Sequence, residues 1–139
     1  MGAWSEDNFG NDAACDWIGD FLENPSLTAV QKAINKVLNT KGYLESDAAC
    51  NCLAACEIVA RLQGQWGIQN VYTENLDAWV EAHPMTIPDD LRAAADAAIE
   101  KILGSNSELL ELWEEEGYNS AWHGVVDDLR SRIQGPAIA

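Results

Sequence analysis

Positive charge is what this sequence has least of. Eight Lys and Arg stand against 23 Asp and Glu, for a formal net charge of -15 and a pI near 4.2. Affinity for nucleic acid comes largely from basic side chains that neutralise phosphates, so direct nucleic-acid binding is excluded. Histidine is almost as scarce. His83 lies beside Pro84 and His123 stands alone, so neither the Glu-x-x-His of di-iron bundles nor the His-Glu-x-x-His of metalloproteases is present. No segment approaches the roughly 18 to 20 apolar residues of a membrane span. The opening Met1 to Asp7 lacks a basic stretch followed by an apolar run, which predicts a cytoplasmic protein without a membrane partner. No Gly-x-Ser-x-Gly, phosphate loop or dinucleotide fingerprint occurs, so no cofactor and no catalytic residue is assigned.

Paired thiol motifs are missing too. The four cysteines include Cys50-x-Cys52-x-x-x-Cys56, but no Cys-x-x-Cys. On a helix Cys52 and Cys56 share a face while Cys50 lies about 160° round from Cys52, so the three thiolates cannot meet one metal ion. They are expected to be small buried hydrophobes. The stretch Glu6 to Asp12 has the composition of a calcium loop, but Phe9 takes an oxygen-ligand position and no closing Glu follows.

Apolar residues are plentiful, at 47% with six Trp, enough to bury the core of one domain spanning residues 1–139. The dominant period is helical. Asn11 caps a first helix to about Glu23, with Ala14, Trp17, Ile18, Phe21 and Leu22 on one face, and Pro25 ends it. Ser26 caps a second helix closing near Thr40 to Gly42. A third, about Ser46 to Leu62, is small and apolar almost all round, which marks a central helix that neighbours can approach closely. Residues 66–72 show no stripe and are read as loop. A short fourth helix must stop by His83 because Pro84 follows, and a fifth carries Pro88 in its first turn and ends at Gly104. Ser105 and Glu108 match a capping box opening a sixth helix, Ser107 to Glu116. A seventh runs from about Asn119 to Gln134, stopped by Gly135 and Pro136. The expectation is an all-α fold, a single compact bundle of six or seven helices around the Ala-rich one.

The charge is unevenly placed. Residues 1–24 hold six acids, residues 68–90 five and residues 105–117 five, none with a base, whereas residues 25–43 carry Lys32, Lys36 and Lys41 and no acid. In the first helix Asp12, Asp16 and Asp20 recur every four residues, with Glu23 near the end. Each like-charge pair at that spacing costs about 0.2 to 0.5 kcal/mol. Glu108, Glu111, Glu114 and Glu115 crowd the sixth helix in the same way. A surface at this potential attracts a basic protein over a Debye length of about 8 Å.

The opening string Met1-Gly2-Ala3-Trp4, Phe9, Asn11-Asp12, Ala14 and Asp16-Trp17 resembles a bacterial family known as domain of unknown function 4259. Tyr43-Leu44-Glu45, the helix end Glu57-Ile58-Val59-Ala60, and Ser107-Glu108-Leu109-x-Glu111-Leu112-Trp113 continue the similarity over most of the chain. The chain departs from the pattern at Ser5 and Asp7, where the family has Gly. The resemblance implies an architecture and no activity. Trp4 and Phe9 are expected to fold back and seal one end of the bundle.

Together these features predict a non-enzymatic acidic module that binds a basic protein. Its most concrete form is an immunity or inhibitor protein that blocks a basic toxin such as a nuclease, with Trp66, Tyr72 or Tyr118 as aromatic anchors. The expected partner-binding residues are Asp12, Asp16, Asp20 and Glu23, or Glu108, Glu111, Glu114 and Glu115. Two alternatives remain. A housekeeping interaction protein would expose an apolar patch, and a carboxylate-dependent metal-binding enzyme would gather three or more acids in one cavity.

Overall fold

The structure, a computed structural model, describes residues 6–134. Among them the chain forms seven helices and no strand: α1 Asp12–Glu23, α2 Leu27–Leu38, α3 Ser46–Leu62, α4 Glu74–Ala82, α5 Asp89–Ile102, α6 Glu108–Trp113 and α7 Ser120–Gln134. The all-α expectation holds. The expected place of Trp4 and the Gly135-Pro136 stop lie outside the described residues.

The ends follow from local chemistry. Asn11 is extended and its side-chain oxygen accepts from Ala14 N, while Ser26 does the same for Ala29 N. The Asn119 carboxamide oxygen accepts from Trp122 N near the start of α7. Such caps satisfy amides that have no partner within the helix. α4 ends at Ala82 and α5 begins directly after Pro88, where the prolines forbid helix before them and favour it after.

α3 is the axis of the molecule, packed against α1, α2 and α7 and touched by α4, α5 and α6. From Ala49 to Leu62 every residue except Asn51 is buried. Its Ala and Cys side chains are short enough for neighbouring backbones to close in from several sides. All four cysteines are free thiols, and Cys50, Cys52 and Cys56 are buried. The expected end seal is half visible: Phe9 is buried, with the Arg61 guanidinium 5.2 Å from its ring centre.

The sixth helix departs from expectation at both ends. A short parallel bridge joins Leu44 to Ser107, through Leu44 N to Asn106 O at 2.8 Å and Glu108 N to Leu44 O at 2.9 Å. Asn106 turns the chain at φ 62°, a conformation Asn tolerates better than most residues, so Ser105 cannot begin the helix. Ser107 becomes the cap, accepting from Leu110 N. Glu108 therefore closes no capping box. Its carboxylate reaches across the bridge and accepts from Ser46 N at 2.8 Å, capping α3 instead. The helix stops at Trp113 rather than Glu116, because Glu114, Glu115 and Glu116 would crowd the negative end of the helix dipole and Gly117 turns away at φ 104°.

Candidate functional site

The Asp7 to Asn11 segment determines the site's geometry. Asp7 Oδ1 accepts from Phe9 N and Gly10 N donates to Asp7 O, folding the chain tightly before α1. No non-glycine residue described in this segment has a positive φ, so the backbone there does not require glycine. Phe9 plugs into the core, and the Asn8 amide reaches Glu57 on α3 at 2.7 Å.

Glu57 lies at the centre of a buried charge network that the sequence reading missed. Its Oε1 accepts from Arg61 Nε at 3.3 Å and Arg132 Nη1 at 2.9 Å, and its Oε2 from Asn8 Nδ2 and Arg132 Nη2, both at 2.7 Å. Arg61 continues to Asp77 and to the Ile68 carbonyl, while Asp77 also accepts from the Thr73 hydroxyl. A charged side chain is almost never this buried unless paired, and here every carboxylate oxygen of Glu57 has donors. The signal in the sequence was the Glu57 and Arg61 pair, four residues apart on an otherwise apolar helix. This network holds loop 63–73 and the N-terminal segment on α3.

Beside that segment opens a cleft of about 380 Å³ between the starts of α1 and α3. Asp7, Asp12, Asp16 and Asp47 line it, above an apolar floor that includes Leu53, Leu109, Trp113 and Trp122. The carboxylates raise the proton affinity of neighbouring thiols. Cys15 is pushed up by burial first and then by Asp12, Asp16 and Asp7, and Cys50 is pushed up to about 12 by burial first and then Asp47. A larger cleft of about 620 Å³ lies between α1 and α2, where Lys32 and Lys36 stand beside Trp17. α1 thus separates an acidic recess from a basic one.

Ion pairing distinguishes the two expected acidic faces. All four arginines are engaged: Arg61 with Glu57 and Asp77, Arg92 with Asp89, Arg130 with Asp96 and Glu100, and Arg132 with Glu57 and Asp128. Lys101 donates to the Leu38 and Thr40 carbonyls at the end of α2. Among the described residues no ion pair reaches Asp12, Asp16, Asp20 or Glu23, and all four are exposed. The α6 acids have intramolecular partners: Glu108 caps α3, Glu111 accepts from the Tyr43 hydroxyl at 2.9 Å, and Glu114 meets His123 Nε2 at 2.8 Å. Glu115 stays exposed. Of the aromatic candidates, Tyr72 and Tyr118 are exposed, whereas Trp66 packs on the core near Arg61.

Four acids in one cleft raise the question of a metal centre. Among the described residues no group of three or more His, Cys, Asp and Glu is placed to hold an ion. No helix among them is long and apolar enough to cross a membrane. No curated protein and no solved structure matches the chain. The sequence model of one family, described as a domain of unknown function (DUF4259), matches residues 2–124, and the chain belongs to that family.

Proposed function

We propose that this protein is a non-enzymatic binding module whose α1 face docks a basic protein. Its most concrete role is that of a cytoplasmic bacterial immunity or inhibitor protein covering the cationic cleft of a toxin such as a nuclease. One observation carries the reading: Asp12, Asp16, Asp20 and Glu23 are exposed carboxylates on α1 that no ion pair reaches among the described residues, although every arginine is committed to acids elsewhere. The fold accepts this repulsion. A basic partner arriving there removes it, and the ridge lies where a phosphate backbone would otherwise run in a nuclease cleft. Encounter is steered by charge, so affinity falls as salt rises. Because the α6 acids serve within the fold, the α1 set is the favoured one of the two.

The test is co-purification of the chain at low salt with the product of any toxin-like reading frame found directly upstream of its gene, followed by kinetics with Asp16→Lys and Asp20→Lys. Slower association with unchanged folding supports the reading. Absence of a complex at low salt refutes it. A second reading is a carboxylate-dependent metal-binding enzyme: four carboxylates line the cleft, although among the described residues no three are placed to hold an ion. It requires that Mg²⁺ or Mn²⁺ bind the cleft and that Asp47→Asn abolish the binding. Ile68, Val71 and Tyr72, exposed in one loop, are the corresponding surface for a housekeeping assembly role, which light scattering would reveal as self-association.

A further inference from the structure

We propose that the basic groove between α1 and α2 receives the α1 carboxylates of a second copy of this chain, in a two-fold dimer with two reciprocal charge seams. This self-association is separate from the docking of a basic protein proposed above, and either can fail alone.

α1 and α2 both pack on α3 but barely on each other, which leaves the groove of about 620 Å³ open between them. Ala48 of α3 lies on its floor, Trp17 forms the α1 wall, and Ala29, Lys32 and Lys36 stand on the α2 wall. α2 contains no acid, and among the described residues no ion pair reaches Lys32 or Lys36, both of which are exposed. An apolar slot with an unpaired cationic wall fits an anionic occupant.

The chain carries the matching surface itself. Lys32 and Lys36 are four residues apart, as are Asp16 and Asp20, so each pair spans the same rise of about 6 Å and the two can register along facing helices. Asp20 and Asp16 stand about 60° and 100° round α1 from Trp17, on the same side, so the carboxylates border the groove. A two-fold axis along that border lays each copy's aspartates on the other's lysines, and the contact closes at two copies. Trp17 and Ala29, both partly buried in the single chain, supply apolar contact between the seams.

The opposing effect is repulsion between two chains of net charge -15. It is long-ranged, whereas the ion pairs act at contact. At about 0.15 M salt a Debye length of about 8 Å screens most of the repulsion and spares the pairs; at about 0.01 M the length is about 30 Å and repulsion wins; at about 1 M the pairs are screened too. Association is therefore tightest at intermediate salt, whereas docking of a basic protein weakens steadily as salt rises. A basic protein would displace the second copy from the α1 carboxylates.

Sedimentation equilibrium of the full chain across that salt range tests the dimer, with the double variants Lys32→Glu/Lys36→Glu and Asp16→Lys/Asp20→Lys. All four positions are exposed, and far-UV circular dichroism checks that the variants fold. The expected result is a parent dimer tightest near 0.15 M salt, weakened at least about tenfold in each variant alone. An equimolar mixture of the two variants makes both seams attractive again with the signs exchanged, and should recover affinity to within about threefold of the parent. A parent still monomeric at about 1 mM, a dimer indifferent to Lys32→Glu/Lys36→Glu, or no recovery in the mixture overturns the inference. Assemblies larger than two copies overturn the two-fold arrangement. A monomeric parent that binds hexa-glutamate peptide through Lys32 and Lys36 overturns it in favour of a foreign acidic segment. Failure of the parent to bind a basic toxin, with the dimer and its charge-exchange recovery observed, supports the dimer and refutes only the docking reading.

Discussion

Replacing Glu57 by Gln tests whether the buried network holds the molecule together. The substitution keeps the size and removes the charge, and it sets an NH2 group where an oxygen now accepts from two donors. Breaking a buried pair by removing one partner costs about 3 to 5 kcal/mol, because the remaining charge is left uncompensated. The structure argues for the lower end. Arg61, with a fully buried side chain, keeps Asp77, and Arg132 keeps the exposed Asp128. About 3 kcal/mol is therefore expected. Unfolding entropy of roughly 2.1 cal/mol/K per residue over a chain of this length converts that to a fall in Tm of about 10 °C. Thermal melts followed at 222 nm measure it. Combining the substitution with Arg132→Met should cost less than the sum of the single changes, since the second removes a charge that the first leaves stranded. A Tm within about 2 °C of the parent would refute the reasoning, and with it the claim that Glu57 positions the cleft wall through Asn8.

Asp16→Lys should separate stability from binding. It removes like-charge pairs with Asp12 and Asp20 and creates attractive ones, so urea unfolding should show a gain of about 1 kcal/mol while association with a basic partner slows. Gly67→Ala would place a methyl 2.7 Å from Arg132 Nη1, and that guanidinium cannot swing away while Glu57 grips it twice. A loss of about 1 to 3 kcal/mol is expected. Gly19→Ala, in the open on α1, should gain about 0.5 to 1 kcal/mol in the same assay. The hydrogen bond from Arg130 holds the Asp96 carboxyl below its ordinary value of 3.8, so its contribution to stability is complete above that value and disappears as pH falls through the lower folded one. Denaturant midpoints measured from pH 5 to pH 2 should therefore drop less steeply for Asp96→Asn than for the parent.

Most of the fold was legible because helix periodicity and caps are local. The stripe Ala14, Ile18 and Phe21 and the Ser26 and Asn11 caps lie within a few residues of the backbone they shape, and the structure has each of them; Pro88 marks the start of α5 to within a residue. The sixth helix was misread for the opposite reason. Ser105 and Glu108 had the right spacing for a capping box, but a bridge to Leu44, more than sixty residues away, outcompeted it. The same distance hid the candidate cleft. Asp12 and Asp16 were visible as a ridge, whereas Asp7, Asn8 and Asp47 join them only when α1 and α3 start side by side.

Composition alone determined the sign of the molecule's field, and periodicity determined that it would be a bundle of helices around an Ala-rich one. Which carboxylates remain available to a partner was decided by the tertiary structure. Pairing depends on where the arginines of α3, α5 and α7 end up, and they reach Glu57, Asp77, Asp89, Asp96, Glu100 and Asp128 but not the ridge of α1. Coulomb attraction acts through space rather than along the chain, so a count of charges in order could locate the acids without revealing which of them would be neutralised.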